Sequence, residues 1–418
     1  MLNVDQVNKQ LHILDSGDDA AQRQALHTLR NIEAQNWSTA PNALVNSLVE
    51  ALQQQILSGP RPPVVHKEIA ALISNVGTRS KSAIPQLIQF LQDGTPDSIR
   101  EAAATVLGKF GSDAKSAVES LIAISSVPSS LGVHAVRALR DIGCADHRVR
   151  TALIQLWNAP IQSQNNQIQL AIALCKLKID AVGLVPFLTN RLLASQDEAL
   201  RKSAAEGLSW CNKNDLDVVP ALVTSTLNDK NEDVRQIAKN ALDHLKLSNE
   251  KAIDLCAKQL KDSLHAEAAL RKTGQPAVPA LILALGGGDA TVRVKAARIL
   301  ACFGELGANA VPALMTALRD KDWEIRLEAA KGLWNITKKT DDVVPVLIQL
   351  LDDKRATDIE DGEARRRILQ TVIESLWRIG PPASAAVPAL LKMTKDKNRL
   401  VSQSAREAVK KIQPSAIK

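Results

Sequence analysis

A proline followed two places later by a leucine recurs along most of this 418-residue chain. Steps of 33 to 35 residues dominate between successive copies, and degenerate copies carry Glu119, Thr151 and Asp254 at the proline position. A chemical site needs its groups once, so a pattern that returns at a fixed period predicts a repeat architecture. The prolines of the clear copies are Pro85, Pro186, Pro220, Pro279, Pro312, Pro345 and Pro388.

Each copy predicts two helices. In one copy, Val311, Leu314 and Leu318 recur three and four places apart, which is typical of an amphipathic helix. A second run of this kind starts at Ile325, after a short polar segment, so the two helices form a hairpin. A single hairpin cannot bury its apolar faces, and we therefore predict an all-α fold, an α-solenoid of about 11 stacked helical hairpins.

The pattern also sets the predicted domain boundaries. Residues 1–37 lack the full repeat pattern and are predicted to be N-terminal capping helices. Residues 38–412 are predicted to form the repeat array as one continuous solenoid, and residues 413–418 a C-terminal tail.

Charged residues recur with the proline. An aspartate lies eight places after it in several copies, and an arginine lies about fifteen places after it. Carboxylates at these loops are predicted to accept hydrogen bonds from loop amides and to pair with guanidinium groups along the stack. The members of this structural ladder are Asp93, Arg100, Arg201, Arg235, Arg293, Asp320 and Arg326.

The runs Val292-Arg-Val-Lys-Ala-Ala-Arg-Ile-Leu300 and Ile325-Arg-Leu-Glu-Ala-Ala-Lys-Gly-Leu333 carry a family resemblance. Together with the proline and the aspartate, they resemble the HEAT-repeat family, in particular the compact bacterial type that also occurs in phycobilin lyases. The resemblance extends over residues from about 40 to 412. It implies an armadillo-like superhelix that acts as a scaffold or adaptor, and it leaves phycobilin-lyase-like cofactor handling as an alternative.

One copy carries an insertion between Leu351 and Ile368, where the repeat is lengthened to 43 residues and Leu369 replaces the usual arginine. Insertions in solenoids collect at one edge and often belong to a binding surface. A tolerated solvent-exposed loop is the alternative. The candidate binding residues of this loop are Arg355, Asp358, Glu360, Arg365 and Arg366.

Charge is unevenly distributed along the chain. The net charge is +7, but residues 1–250 contain 24 basic and 25 acidic residues, whereas residues 251–418 contain 28 and 20. A polyanion or nucleic acid would therefore bind to the C-terminal repeats. The first residues lack a basic segment before an apolar run, and no stretch approaches a spanning length, so a soluble cytoplasmic protein without a membrane partner is expected.

The sequence offers little for catalysis. The seven histidines do not occur at i, i+4 metal spacing, and the nucleophile-elbow and phosphate-loop motifs are missing. Aromatic residues make up only 2% of the chain, which argues against base stacking and against a pigment pocket. We therefore expect no enzyme activity, no cofactor and no metal.

A candidate partner-binding face follows from the helix period and the resemblance, which places the second helices on the concave side. His265, Lys272, Lys295 and Arg298 are predicted to share this face without an acidic partner, as a small basic patch. Tryptophan is a frequent anchor for a bound peptide. The full candidate set is Trp210, His244, His265, Lys272, Lys295, Arg298, Lys331, Trp334, Asn335, Trp377 and Arg378.

The function expected from these features is a non-catalytic adaptor that binds one or more protein partners through an extended preorganised surface. A monomer is expected. Binding of a polyanion through the basic C-terminal repeats is the first alternative, and strong salt dependence would distinguish it.

Overall fold

The structure is a computed structural model, and it describes residues 3–16, 18–32, 40–57, 63–76, 81–159, 164–353 and 362–417. These ranges contain 24 α-helices and short 3₁₀ segments, and no β-strand. The prediction of an all-α solenoid is confirmed. The chain divides into two compact units, Met1–Asn212 and Lys213–Lys418.

Twelve of the described helices belong to the first unit. They are α1 Val4–Ser16, α2 Asp19–Arg30, α3 Asn42–Leu57, α4 Pro63–Val76, α5 Ile84–Gln89, α6 Asp97–Lys109, α7 Val118–Ser125, α8 Ser130–Ile142, α9 His147–Asn158, α10 Gln164–Lys176, α11 Leu184–Ala194 and α12 Glu198–Ser209.

The second unit contains the other twelve. They are α13 Val218–Asn228, α14 Glu232–His244, α15 Asn249–Lys258, α16 Leu264–Thr273, α17 Val278–Leu285, α18 Ala290–Cys302, α19 Val311–Ala317, α20 Trp323–Thr337, α21 Val343–Asp352, α22 Gly362–Ile379, α23 Val387–Met393 and α24 Arg399–Ile412.

Consecutive helices pack in pairs, and the pairs stack. In the first unit each of α2, α4, α6, α8 and α10 packs on the next second helix, and this series ends at α12. In the second unit α18 packs on α20, and α22 packs on α24. The first pair, α1 and α2, occupies the region predicted to be a cap. Whether the array continues without interruption across residues 38–412 stays a prediction.

Small residues set the spacing between the stacked helices. In α20, Ala329 and Ala330 are fully buried, and the same two places are filled by Ala296 and Ala297 in α18. Most of the remaining core consists of leucine, isoleucine and valine, and among the described residues Phe90 is the largest fully buried side chain. Thin helices with short apolar side chains are therefore how a chain with few aromatic residues fills its interior.

Where a repeat carries the proline, the proline lies in the first turn of the first helix of the pair. Pro279 is the second residue of α17, and Pro312 is the second residue of α19. An amide in the first turn has no partner within the helix, so proline costs no hydrogen bond there.

The second helices begin at capping residues. For example, the Asp289 side chain accepts hydrogen bonds from the Thr291 and Val292 amides at 2.9 and 3.3 Å.

Glycine ends several second helices. Gly143 follows α8 with φ of 71° and donates its amide to the Leu139 carbonyl. A left-handed backbone is costly for a residue with a side chain, so glycine is the residue that ends the helix here.

At the insertion, Arg355, Asp358 and Glu360 lie outside the described residues, whereas Arg365 and Arg366 lie in the first turns of α22.

Candidate functional site

The repeated charged residues form pairs between successive hairpins of the second unit. Arg293 donates from Nε and Nη2 to the two carboxylate oxygens of Asp320 in the next repeat, at 3.0 and 3.3 Å. Arg326 pairs in the same way with Asp353. Both pairs are largely buried, so they join one hairpin to the next where water cannot readily compete.

Each of these arginines also holds the loop of its own repeat. Arg293 Nη1 donates to the Gly287 and Gly288 carbonyls at 3.1 and 2.8 Å, and Arg326 Nη1 donates to the Asp320 carbonyl at 2.8 Å. Arg201 and Arg235 make the same kind of contact, with the Ser195, Gln196 and Asp229 carbonyls. A guanidinium with five donors suits this double role, because it reaches a loop and a carboxylate at once.

Arg365 takes part in this ladder, and its predicted role in binding stays a prediction. It was grouped with the insertion in the sequence, but its guanidinium donates to both carboxylate oxygens of Asp396, at 2.8 and 3.3 Å. It lies one turn before Leu369, the residue that occupies the usual arginine position. This repeat therefore also forms an arginine–aspartate pair with the next repeat, but its arginine lies four residues before the usual position. Arg366 pairs within its own helix with Glu363.

Pairing lowers the pKa of the ladder carboxylates. At Asp396 the largest cause is the hydrogen bond from Arg365, which lowers its pKa despite burial. At Asp320 burial acts most strongly and opposes ionisation, but the Asp322 amide and Arg293 together lower the pKa. Both groups are therefore anionic at neutral pH and bound to cations.

The predicted basic patch differs from the observed contacts. Arg298 pairs with Glu324 of the next repeat at 2.8 Å and lies 3.8 Å from Glu328. Lys295 donates to the Leu260 and Lys261 carbonyls at 2.7 and 3.1 Å. Arg298 therefore has an acidic partner, which comes from the neighbouring helix and lies outside the residues 263–300 to which the prediction refers. A binding role of the patch stays a prediction.

The buried acid of this cluster has two cations. Glu328 is 5% exposed and accepts from Lys331 Nζ at 2.9 and 3.0 Å. Burial raises the pKa of the neighbouring Glu324, with Glu328 adding to the effect. Arg298, Glu324, Glu328 and Lys331 thus form a charge network between α18 and α20 that stabilises their stacking.

The other candidates of the predicted face are spread over several helices. His244 is exposed at the end of α14, His265 is partly buried in α16, and Lys272 is exposed in the last turn of α16. Trp210 lies just after α12 in the first unit, with Lys176 Nζ 5.5 Å from its ring centroid.

Four candidates do come together, in a groove between α20 and α22 that we call the Trp334 groove. It has a volume of about 120 Å³ and includes Lys331, Trp334, Asn335 and Arg378. Val343 and Leu347 of α21, with Ala330, Thr371, Glu374, Ser375 and Ile379, complete its lining. An indole beside an apolar floor with a polar rim is the arrangement found where proteins hold an anchor side chain.

The rim of the Trp334 groove carries more positive than negative charge. Arg378 pairs with Glu374 at 2.7 Å, and both side chains are exposed. Lys338 Nζ lies 5.6 Å from the Trp334 ring centroid. Asn335 is held by its amide, which donates to the Ala301 carbonyl of the preceding repeat at 2.9 Å. The groove therefore has one wall residue, Asn335, held by a hydrogen bond, and one exposed cation, Arg378, paired with Glu374.

Trp377 lies outside this groove although it is adjacent to Arg378 in the sequence. Its ring is 41% exposed and is covered by Lys411 Nζ at 3.4 Å from the centroid. Neighbouring residues on a helix point about 100° apart, so only one of the two can line the groove. Sequence reasoning missed Glu374, for which the i, i+4 spacing to Arg378 was a usable signal.

Within the residues that the structure describes, no group of three or more His, Cys, Asp and Glu side chains is arranged to hold a metal ion. Across those same ranges, no helix has both the length and the apolar character needed to cross a membrane.

Comparison with known families gives a direct assignment for part of the chain. Residues 185–271 and 278–366 match the family model of HEAT repeats. The predicted resemblance to HEAT repeats is confirmed over these residues, which include Lys331, Trp334, Asn335 and the arginines Arg293 and Arg326. The similarity to phycobilin lyases and to a bacterial type stays a prediction. Comparison with curated proteins returns no match.

Several solved structures are similar to the chain. An engineered protein is 21% identical over 98% of this chain and 99% of that chain, with a TM-score of 0.33. Yeast importin-β, Kap95p, is 14% identical over 99% of this chain and 64% of that chain, with a TM-score of 0.41. Kap121p in its complex with Ste12p is 14% identical over 98% and 49%, with a TM-score of 0.43. The chain thus spans about half the length of Kap121p.

Proposed function

We propose that this protein is a non-catalytic adaptor that binds an extended segment of a protein partner in the Trp334 groove. The observation that supports this proposal is the convergence of a partly buried indole, an apolar floor and a cationic rim between two HEAT repeats. HEAT-repeat solenoids are typical protein-interaction scaffolds, since a row of stacked helices offers a long preorganised surface.

The groove favours a segment with an apolar side chain next to an acidic one. The floor of Val343 and Leu347 with the Trp334 ring suits an apolar side chain. Lys331 and Arg378 line the groove together with Glu374, and Lys338 Nζ lies 5.6 Å from the Trp334 ring centroid, so cations outnumber carboxylates around the indole. The volume of about 120 Å³ fits one side chain rather than a large cofactor, which would need several hundred Å³.

A polyanion is a weaker candidate for this surface. The basic excess of the C-terminal repeats includes Arg293, Arg326 and Arg365, which are bound to aspartates of neighbouring repeats. Arg298 and Lys331 are also paired with carboxylates. Cations that are already neutralised contribute little to counterion release on binding nucleic acid.

The test is selection of peptides from a random display library against the full chain, followed by affinity measurement. Enriched peptides should pair an apolar residue with Asp or Glu. Trp334→Ala should weaken their binding about tenfold or more, because loss of one anchor ring dominates a small interface. Trp377→Ala is the matched control, since this exposed indole lies on the same helix as Arg378 and outside the groove; its effect should be about twofold or less.

Two results would reject the proposal. Peptides whose affinity is unchanged by Trp334→Ala would place binding elsewhere. Binding of a labelled DNA duplex that is stronger than any peptide and falls steeply with salt would favour the polyanion function. The expectations of a monomer and of a cytoplasmic location stay predictions, to be checked by light scattering on the purified chain and by imaging of the tagged protein.

A further inference from the structure

Two cysteine side chains from successive repeats of the first unit face each other. Cys175 lies in the last turn of α10, and Cys211 follows the end of α12. Their Sγ atoms are 3.0 Å apart. A disulfide bond is about 2 Å long, so a displacement of about 1 Å would bring the two sulfurs to bonding distance.

The packing of α12 on α10 brings these thiols together. Gly207 has no side chain at the contact; a Cβ there would lie 3.3 Å from Ile172 of α10 and 3.0 Å from Leu188. The helices therefore approach closely one turn before Cys211, whose Sγ lies 3.6 Å from the Gly207 carbonyl oxygen. Cys175 is 4% exposed, so its position is fixed by the core.

The two thiols differ in access. Cys211 is partly exposed, whereas Cys175 is buried. A reagent in solution can therefore reach Cys211 first, and Cys175 is placed behind it as the second thiol. A reactive thiol that is backed by a close partner is the usual arrangement of a reversible disulfide site.

We propose that Cys175 and Cys211 are a redox-modification site, and that a low-molecular-weight disulfide such as oxidised glutathione converts them to an intramolecular disulfide. The Cys211 thiolate attacks one sulfur of oxidised glutathione, forming a mixed disulfide and releasing one glutathione thiolate. The Cys175 thiolate then attacks Cys211 Sγ, the bond to glutathione breaks, and the second glutathione thiolate leaves. The protein loses two electrons and two protons, and glutathione gains them.

The bond locks two successive hairpins together. It joins residues 36 positions apart in the sequence, across the contact between α10 and α12. Closing a loop of this length in the unfolded chain restricts that state more than the folded one. We therefore expect oxidation to raise the midpoint of thermal unfolding of the first unit by roughly 5–10 °C.

The other cysteines provide internal controls. Cys256 is fully buried, and burial raises the pKa of its thiol to about 12, so it reacts slowly. Cys302 is exposed, and its Sγ lies 3.3 Å from the Arg298 carbonyl oxygen. Cys302 therefore serves as the reference for an accessible thiol at a helix end. The rate of oxidation of the Cys175–Cys211 pair is compared with that of Cys302.

The experiment is a titration of the full chain with defined ratios of reduced to oxidised glutathione, followed by alkylation, proteolysis and mass spectrometry. We expect a linked Cys175–Cys211 peptide, a mass loss of about 2 Da in the monomer, and recovery on reduction. Cys211→Ser should abolish both the linkage and the increase in unfolding midpoint, whereas Cys302→Ser should leave both unchanged.

Three outcomes would overturn the proposal. One is a chain that stays fully reduced at Cys175 and Cys211 under conditions that oxidise Cys302. Another is stable glutathionylation of Cys211 without release of the second glutathione. The third is a linked chain whose unfolding midpoint is unchanged or lower. Cys211→Ser changes a partly exposed residue, and its circular dichroism spectrum and unfolding midpoint in reducing buffer would show that the variant is folded.

Discussion

Arg100 in the first unit and Arg293 in the second occupy the same place in their repeats but bind different partners. Arg293 pairs with Asp320 of the following repeat, where the aspartate side chain is 16% exposed. Arg100 pairs instead with Asp93 of its own repeat, at 3.1 Å, and the Asp93 side chain is fully exposed. The same sequence signature therefore forms a buried link between repeats in one region and a surface ion pair in the other.

The following repeat explains the difference. Eight places after the degenerate repeat start at Glu119, the aspartate position is occupied by Val127. Arg100 has no carboxylate to reach at that place, and it binds Asp93, Asp97 and the Leu91 carbonyl instead. A ladder pair is thus a property of two successive repeats and cannot be read from one of them.

The largest difference between the two regions is expected when the aspartate of each arginine pair is removed. Asp320→Ala leaves the Arg293 guanidinium in a largely buried place without its charge partner, and we expect a loss of about 3 kcal/mol in the free energy of unfolding. Asp93→Ala removes a fully exposed carboxylate and should cost less than about 0.5 kcal/mol. Both residues lie in the loop after a first helix, so the variants are matched.

These two values are measured by urea unfolding and by amide hydrogen exchange of the helices around each loop. Exchange in α18 and α20 should accelerate in Asp320→Ala, while exchange in α6 should be nearly unchanged in Asp93→Ala. Equal losses in the two variants would show that the burial of the Asp320 pair has no energetic consequence.

A smaller effect is expected from pH. The pKa values of Asp320 and Asp396 are lowered in the folded protein, so these groups stabilise it above the pKa of the unfolded chain, near 3.8. That contribution is lost as the pH falls below about 4 and through the lowered folded values. The unfolding free energy of the wild type should therefore fall more steeply from pH 4 downwards than that of Asp320→Asn.

The measurement is urea unfolding of both proteins at closely spaced pH values from 5 to about 2.5, with Asp93→Asn as the control. The difference between the wild type and Asp320→Asn should shrink as the pH falls. If the difference in unfolding free energy between the two proteins stayed constant with pH, protonation of Asp320 would not cause the loss of stability.

The smallest effect is expected from introducing an ion pair between repeats at Arg100, where the first unit lacks one. Val127→Asp places a carboxylate at the position where the second unit has Asp320, and Arg100 can then pair across repeats. We expect a gain of about 0.5 kcal/mol, because a new partly exposed pair is weakly stabilising and Val127 is only partly buried. A double-mutant cycle with Arg100→Gln, which removes the cation, measures the coupling. A coupling energy of zero would contradict the positional explanation.

Much of the architecture was readable before the structure. Pro312 and the run from Ile325 to Leu333 predict a hairpin, and the structure places helices at Val311–Ala317 and Trp323–Thr337. The reason is that helix starts, short polar loops and apolar spacing are local properties of the chain. The ladder was expected from the period of its aspartates and arginines, since stacking brings identical places of successive repeats together.

The candidate site was readable only in part. Trp334, Asn335 and Arg378 were predicted from their positions on second helices, but Trp377 was predicted with them and lies outside the groove. The acidic partner of Arg298 was not predicted because Glu324 lies on the neighbouring helix, where the spacing within one helix gives no information. Arg365 was assigned to the insertion because the sequence does not show that one helical turn returns it to Asp396.

The sequence by itself determined the helical hairpin, its repetition and the type of residue at each repeated place, because these follow from periodicity along one chain. Only the tertiary structure decided which charged groups pair between successive repeats and which side chains line the Trp334 groove. It also brought the Cys175 and Cys211 thiols together. Such contacts join residues about one repeat apart, and their distances depend on how closely two hairpins pack.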